Sequence, residues 1–376
     1  MKVTITLAEA YARASKGLRK KMAYSISLLQ KAERLALAYD SRGGYYLAFS
    51  GGKDSQALYH IAQLAGVQFE GHMNLTSVDP PEVIRFVKNN YPEVELIKPK
   101  DSIYNIAIKK QLLPTKTVRW CCEAYKEHAG AGKVTLIGIR RQESSRRKKR
   151  NEVEIDSRKF SGTLEGLDKY REEKLSKKKH KKAKGTNITN ATEERTLGCI
   201  SGKESLLISP LLHWTDRDVW IFLNKVVRVP HCELYDHGFH RIGCIGCPMS
   251  NFKQKLIENQ RWPHVKRNWI RTIINIRTGG GYFSKFLQTR TLWYGIGTNF
   301  KPLSREINRQ LRVHQTPRPT TLEGQSGFSS SSSPDGLTDE QQREIAENIY
   351  DWWISGKAYE KWYAERFLQL ELQFED

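Results

Sequence analysis

Apolar residues recur at helical spacing in the first 40 positions. Leu18, Met22, Ile26, Leu29, Ala32, Leu35 and Leu37 share one stripe, the pattern of a helix that buries one face. Ser41-Arg42-Gly43-Gly44 ends that pattern, and the apolar run Tyr45–Phe49 predicts a short buried strand. A loop at Ser50-Gly51-Gly52-Lys53-Asp54-Ser55 and a helix from Ser55 to Leu64 follow. Further strands are expected at Phe69–Leu75, Val94–Ile97, Val134–Ile139 and Leu206–Ser209, with helices between several of them. Strands alternating with helices predict an α/β class, with a doubly wound, mainly parallel sheet.

Later positions add helices. Thr215 with Asp218 forms an N-cap pair ahead of Val219, Trp220, Phe222 and Leu223. The stretch Phe252–Arg312 reads as mostly helical and aromatic-rich, broken at Gly279-Gly280-Gly281. Thr338 with Gln341 opens a last helical segment holding Trp352, Trp353, Trp362, Tyr363 and Phe367, and these aromatic stripes read as core. The expected organisation is an N-terminal helical segment over 1–40 and an α/β domain over 41–250 interrupted at about 146–196. A helical subdomain over 251–315, a Gly/Ser-rich linker over 316–336 and an acidic helical tail over 337–376 follow. No internal repeat is present, which argues against a solenoid.

Composition then narrows the class. In 376 residues with 39% hydrophobic content, there is enough apolar material for a core. No run approaches the ~18–20 apolar residues of a membrane span, and no signal-peptide stretch precedes Glu9. A soluble, cytoplasmic chain without a membrane partner is expected. The net charge of +21 points to a polyanionic partner. From Arg140 to Lys184 there are 18 Lys and Arg against 8 Asp and Glu, whereas Asp335–Asp376 carries 11 acidic against 4 basic residues. DNA or RNA binding is expected through the basic insertion at 146–184, which reads as a mobile segment with few apolar anchors. The acidic tail is a docking segment for a protein partner, or a shield over the basic body.

The loop Ser50–Ser55 carries the strongest chemical signal. Paired glycines after a strand let the backbone aim its N–H groups at one point, and the following helix presents its N-terminus there. That combination binds phosphate, with Ser50, Gly51, Gly52, Lys53, Asp54 and Ser55 as binding residues and Lys53 and Asp54 as catalytic candidates. The spacing of a Walker A loop is absent. Arg140, at the end of the strand Val134–Ile139, is a third catalytic candidate, standing where a guanidinium can clamp phosphate. Arg119 has the same reading.

The six cysteines are Cys121, Cys122, Cys199, Cys232, Cys244 and Cys247. Cys244-x-x-Cys247 lies in a Gly/Pro turn that can aim two thiolates at one metal. Cys121-Cys122 supplies further ligands, with Cys232 competing for the fourth place. Four thiolates suit either a [4Fe–4S] cluster or a structural zinc. Adjacent cysteines can share a centre only on a helix or loop, since neighbouring side chains of a strand point apart. Cys199 reads as an isolated core thiol.

These motifs resemble a known family. Ser50–Ser55 is similar to the pyrophosphate loop of the N-type ATP pyrophosphatases. Arg119-Trp120-Cys121-Cys122, Gly138-Ile139-Arg140 with Glu143-Ser144, Pro210-Leu211 with Trp214-Thr215 and Asp218-Val219-Trp220, and Gly243–Pro248 resemble their phosphoadenosine-phosphosulfate (PAPS) reductase-like branch. The resemblance implies an adenine nucleotide α-hydrolase-like sheet with helices on both faces, and ATP with Mg²⁺ at the loop. The Cys-Cys and distant Cys-x-x-Cys pattern is similar to that of iron–sulfur adenylylsulfate reductases, which favours the cluster over zinc.

Three functions follow as expectations. Dedicated PAPS reductases carry a nucleophilic cysteine near the C-terminus, and here none follows Cys247. Their loop also departs from Ser-Gly-Gly-x-Asp-Ser, the form kept by enzymes that cleave ATP between the α and β phosphates. The leading expectation is therefore an ATP-dependent enzyme that adenylylates a substrate, a nucleic acid by its charge, for iron–sulfur-linked sulfur transfer, with a sulfur-donor protein as partner. The alternatives are an adenylyl- or phosphoadenylyl-sulfate reductase and a non-catalytic nucleotide- and DNA-binding module.

Overall fold

The computed structural model of the chain describes residues 5–127, 129–155, 160–182, 205–278, 338–357, 361–362 and 365. Two compact units are present. The first comprises Met1–Leu75, Asp79–Pro99 and Glu123–Gly243, the second Thr76–Val78, Lys100–Cys122 and Cys244–Asp376. The chain thus enters the second unit three times, a division that differs from the consecutive segments expected from the sequence. Cys199, residues 183–204, the Gly279–Gly281 break, the linker, Tyr363 and Phe367 lie outside the described residues.

The first unit opens with α1 (Leu7–Arg13) and α2 (Lys16–Tyr39), each started by a hydroxyl cap, Thr6 and Ser15. The stripe from Leu18 to Leu35 is buried, and Ala36, rather than Leu37, completes it. This face packs against β1 (Tyr45–Ala48) and β4 (Val134–Leu136). With β2 (Phe69–Asn74), β3 (Glu95–Ile97), β5 (Val153–Ile155), β6 (Phe160–Gly162) and β7 (Leu206–Ile208), they build one seven-stranded sheet in the order β3-β2-β1-β4-β7-β5-β6. The five strands from β3 to β7 pair in parallel, and Tyr45, Tyr46 and Leu47 are all buried, as a central parallel strand requires. The fold is a mostly parallel, doubly wound α/β sheet.

Topology places the site. From β1 the chain passes through α3 (Lys53–Ala65) to β2, and through α4 (Pro81–Asn90) to β3, stepping in one direction. β4 then pairs with the opposite side of β1, with Tyr46 beside Thr135 and Leu47 beside Leu136. The order reverses between β1 and β4, so the loops leaving these two strands diverge and open a crevice at their carboxyl ends.

The basic insertion differs from the mobile segment expected. Its first part supplies β5 and β6, which join the sheet antiparallel, and the helix Leu164–Lys182 follows. Val153 and Ile155 alternate inward and are buried, as are Leu164 and Leu167. Those few apolar residues suffice to anchor an edge hairpin, although charge dominates the composition around them. The tract Lys174–Lys182 continues a helix rather than a loop.

One buried histidine makes the first unit sensitive to acid. His60, on α3, is fully buried with its ring nitrogens 2.9 Å from Gln63 Oε1 and 3.0 Å from Tyr91 Oη. Burial pushes its pKa down to about 4. Below pH 6.5 the unfolded chain takes up a proton that the folded chain refuses, so this stability is present above pH 6.5 and lost as pH falls toward 4. Between pH 7 and pH 5 the expected loss is about 2 kcal/mol. Urea midpoints measured across that range should fall for the wild type and fall much less for His60→Gln; parallel curves would show that His60 is not responsible.

The second unit is helical. It contains α5 (Ile103–Lys110) and the helices Phe252–Arg261, Pro263–Thr278 and Asp339–Ser355. Thr338 caps the last of these, with Gln341 completing a reciprocal capping pair. Trp269 lies at its centre, 5.0 Å from Tyr104 and 5.0 Å from Trp353 between ring centroids. Trp353 Nε1 donates to Pro114 O at 2.8 Å, and Tyr350 Oη donates to Asn259 Oδ1 at 2.6 Å. The start of the acidic tail is therefore built into the core of this unit, with its acidic residues on the remaining face. No helix among the described residues is long and apolar enough to cross a membrane.

Candidate functional site

The phosphate-loop residues leave β1 and enter α3 at the crevice. Gly51 adopts a left-handed conformation (φ 70°), and a Cβ there would stand 2.7 Å from Val83 Cγ1 and 2.9 Å from Val87 Cγ2. The turn therefore closes tightly over α4 only with glycine. Gly52 caps α3, and Ser55 ties the loop together. Its Oγ donates to Gly52 O at 2.8 Å, accepts from Ser50 N at 3.1 Å and lies 3.2 Å from Ser50 Oγ. The serines thus hold the loop's shape.

Across the crevice, the segment after β4 approaches the start of α3. A Cβ on Gly138 would lie 2.9 Å from Asp54 O. This contact brings Arg140 beside Asp54. Arg140 Nε donates to Asp54 Oδ1 at 2.7 Å and Arg140 Nη2 to Asp216 Oδ1 at 3.0 Å. Lys53 Nζ stands 3.3 Å from Asp54 Oδ2 and 3.3 Å from Asp216 Oδ1. Two cations and two carboxylates close a ring. The Lys53 and Arg140 side chains are only 7% and 4% exposed, whereas Asp216 is 52% exposed. Burial opposes the Arg140 charge, but Asp54, Glu143 and Asp216 outweigh it and raise its pKa. Lys53 is thus a buried residue opening α3, not the exposed loop position that its neighbours suggest.

Two members of this site were not singled out by sequence. Tyr235, on the turn Glu233–Tyr235, accepts the α3 amide of Lys53 at 2.8 Å and stands 5.8 Å from Lys53 Nζ by its ring centroid. Burial raises the Tyr235 phenol pKa. Asp216 is one residue beyond Thr215, and the cap motif drew attention to Asp218 instead. Asp218 is structural: its Oδ2 accepts from Thr215 and pairs with Lys21 at 2.6 Å, while Trp214 Nε1 donates to Ser25 Oγ at 3.0 Å. A charged residue beside a rigid cap at a strand's carboxyl end was the available signal.

The cysteines gather in the second unit. Cys121 and Cys122 lie on the helical turn Trp120–Cys122, the arrangement that lets neighbours share one centre. The Cys121 and Cys122 thiols hydrogen-bond to each other, and this bond, burial and the nearby Cys122, Cys244 and Cys247 together raise the Cys121 pKa. Thr76 Oγ1 donates to Cys244 Sγ at 3.4 Å, and Arg119 Nη1 lies 4.0 Å from Cys122 Sγ. The Cys244–Cys247 turn is held from below. Ile245 N donates to Val78 O at 2.8 Å, and the buried Glu258 accepts Gly246 N at 2.7 Å. Glu258, like the nearby buried Lys255, carried no sequence signal.

Cys232 belongs to the first unit, where it is fully buried and caps the turn bearing Tyr235. The structure therefore groups Cys121, and not Cys232, with the other three. Arg119 stands with the thiols of the second unit, not with the phosphate loop of the first. Among the described residues, no group of three or more His, Cys, Asp or Glu is placed to hold a metal ion.

Comparison with known proteins identifies the family of the chain. The chain is 29% identical over 234 residues to an uncharacterized protein of Methanocaldococcus jannaschii, covering 59% of this chain and 46% of that protein. It is 23% identical over 192 residues to the adenosine 5'-phosphosulfate reductase of Lysinibacillus sphaericus, covering 48% of this chain and 62% of that one. It thus spans less than two thirds of the length of these relatives. Among solved structures, the phosphoadenylyl-sulfate (PAPS) reductase of Candida auris matches with 16% identity and a TM-score of 0.35, over 61% of this chain and 96% of that one. The FMN adenylyltransferase of Candida glabrata matches with 14% identity and a TM-score of 0.36, over 65% and 74%. The phosphoadenosine phosphosulfate reductase domain matches residues 44–250, which hold the whole sheet and the phosphate loop, and the chain belongs to that family.

Proposed function

We propose that the chain is an ATP-dependent enzyme that adenylylates an oxygen of a nucleic-acid substrate and so prepares it for replacement by sulfur. The observation that carries this reading is the pair of buried cations, Lys53 and Arg140, meeting beside the phosphate loop and the start of α3. In this reading the substrate oxygen attacks the α-phosphorus of ATP, the bond from that phosphorus to the bridging oxygen breaks, and pyrophosphate leaves. Lys53 and Arg140 carry its growing negative charge in a site where burial strengthens the attraction. Asp54 is the residue that would hold Mg²⁺, which supplies further charge neutralisation when bound. A sulfide-level nucleophile then forms a carbon–sulfur bond as the carbon–oxygen bond to AMP breaks, with no net oxidation or reduction.

The iron–sulfur reading rests on donor chemistry: four thiols share the second unit and, not set around a metal as they stand, would have to converge on one. Cys121, Cys122, Cys244 and Cys247 are the residues that would hold a [4Fe–4S] cluster, which supplies bound sulfide and redox-active iron when present; zinc is the alternative for the same donors. Family membership and the named reductase relative favour a second reading, reduction of a sulfonucleotide. The two differ in what they release. Adenylylation yields AMP and pyrophosphate from ATP, increased by nucleic acid, whereas a reductase yields sulfite from adenylyl sulfate and leaves ATP intact. A non-catalytic module yields neither.

The basic insertion supports the nucleic-acid part of the reading. For duplex DNA, each phosphate neutralised by the protein contributes about −0.9 to the log–log dependence of affinity on salt. Replacing the six lysines between Lys177 and Lys184 with glutamine is expected to flatten this slope and weaken binding to all sequences alike, while ATP binding stays at the wild-type level. An unchanged slope in a filter-binding titration would reduce the tract to a solvated helix end.

A further inference from the structure

The ring at the phosphate loop balances two cations with two carboxylates, but only one of those carboxylates belongs to the loop and its helix. Asp54, the second residue of α3, already pairs with both cations: Oδ1 takes Arg140 Nε at 2.7 Å and Oδ2 faces Lys53 Nζ at 3.3 Å. Asp216 reaches the same two cations from the other side, with a single oxygen. Its Oδ1 lies 3.0 Å from Arg140 Nη2 and 3.3 Å from Lys53 Nζ. One oxygen accepting from both an ammonium and a guanidinium is the position that a phosphate oxygen takes at such a pair. The carboxylates also differ in access. Asp54 is 24% exposed, and Asp216 is 52% exposed.

The backbone around Asp216 is fixed, while its carboxylate is half exposed to water. Its amide donates to Gln142 Oε1 at 2.8 Å, and its neighbour Thr215 is locked by the reciprocal cap with Asp218. Rotation of one side chain into water releases Lys53 and Arg140 without disturbing any backbone hydrogen bond. The two buried cations then require another anion, since a buried charge without a partner is costly.

We infer that Asp216 is an internal counter-anion, occupying on Lys53 and Arg140 the place of a nucleotide phosphate and leaving when that phosphate arrives. The inference rests on the proposed phosphate-binding role of the loop and extends it to specificity. A ligand must bring enough charge to displace a carboxylate, which selects pyrophosphate-bearing nucleotides over weakly charged competitors. After cleavage, the return of Asp216 to the cations competes with bound pyrophosphate and speeds its departure.

The test is calorimetric binding of inorganic pyrophosphate, without divalent metal, to the wild type and to Asp216→Asn, Asp216→Ser and Asp216→Glu. Removing the competing charge is expected to tighten binding about tenfold, equivalent to about 1.4 kcal/mol, in both the Asn and Ser variants. Asp216→Glu, which keeps the carboxylate, is expected to stay near the wild-type affinity. The pyrophosphate-induced rise in melting temperature should be larger for the Asn and Ser variants than for the wild type, a gain that a merely structural residue would not give. Serine serves if the asparagine variant fails to fold, because it suits the adjoining turn. Unchanged or weaker binding in the folded neutral variants overturns the role of Asp216. A wild type that binds neither pyrophosphate nor ATP overturns instead the reading of the loop itself.

Discussion

Arg140→Ala and Lys53→Ala are each expected to lower pyrophosphate release from ATP by roughly 10²–10³-fold, the range typical of removing one preorganised charge-stabilising group. Each cation is held by two carboxylates and is almost wholly buried, so it is oriented before ligand arrives and needs no rearrangement to meet the leaving group. Arg140→Lys keeps the charge but loses the planar fork that bridges Asp54 and Asp216, and should fall between wild type and alanine. Asp54→Ala should lose turnover as well, since it removes the carboxylate that aligns both cations. The stability cost should be modest for Arg140→Ala and Lys53→Ala, because Asp54 and Asp216 both retain contact with water. Pyrophosphate release at the wild-type rate in folded Arg140→Ala or Lys53→Ala protein would sink the assignment.

The second large effect concerns the thiols. Protein purified without oxygen is expected to carry about four irons with matching sulfide and a broad visible absorbance, as four-thiolate ligation of a [4Fe–4S] cluster produces. Replacing Cys122, Cys244 or Cys247 by serine should remove the iron and the colour. Cys121→Ser should do the same, because the free Cys121 thiol shares a hydrogen bond with Cys122 and lies close enough to feel Cys244 and Cys247. Cys232→Ser should keep both, because Cys232 is buried in the first unit beneath the Tyr235 turn. Stoichiometric zinc without iron in anaerobic protein would replace the cluster with a structural site. Iron retained in Cys121→Ser but lost in Cys232→Ser would reverse the grouping of the cysteines.

Local chemistry made part of this legible in advance. The strands at Tyr45, Val134 and Leu206 were readable because central parallel strands are short apolar runs between turn residues, and those at Phe69 and Glu95 because they alternate with helical segments. The caps at Thr215 and Thr338 were readable because a hydroxyl three residues before an acidic or amide side chain satisfies helix amides within four residues. The edge hairpin β5–β6 was missed for the opposite reason. Its anchors, Val153 and Ile155, are scattered among charges, and only pairing with β7 gives them a face to bury.

The site divides along the same line. The paired glycines, Lys53 and Asp54 are contiguous, so the amino-acid sequence by itself determined a tight strand-to-helix turn, a family and an α/β sheet. The choice between Cys121 and Cys232, the burial of Lys53 and the presence of Asp216 and Tyr235 came only with tertiary structure. Each depends on residues more than 70 positions apart meeting at one point, as Arg140 and Asp216 do across a separation of 76. Strand order made the meetings in the first unit: the reversal between β1 and β4 opens one crevice, and whichever side chains border it become the site. Charge, burial and reach decide their roles there, and none of these is a property of a residue alone.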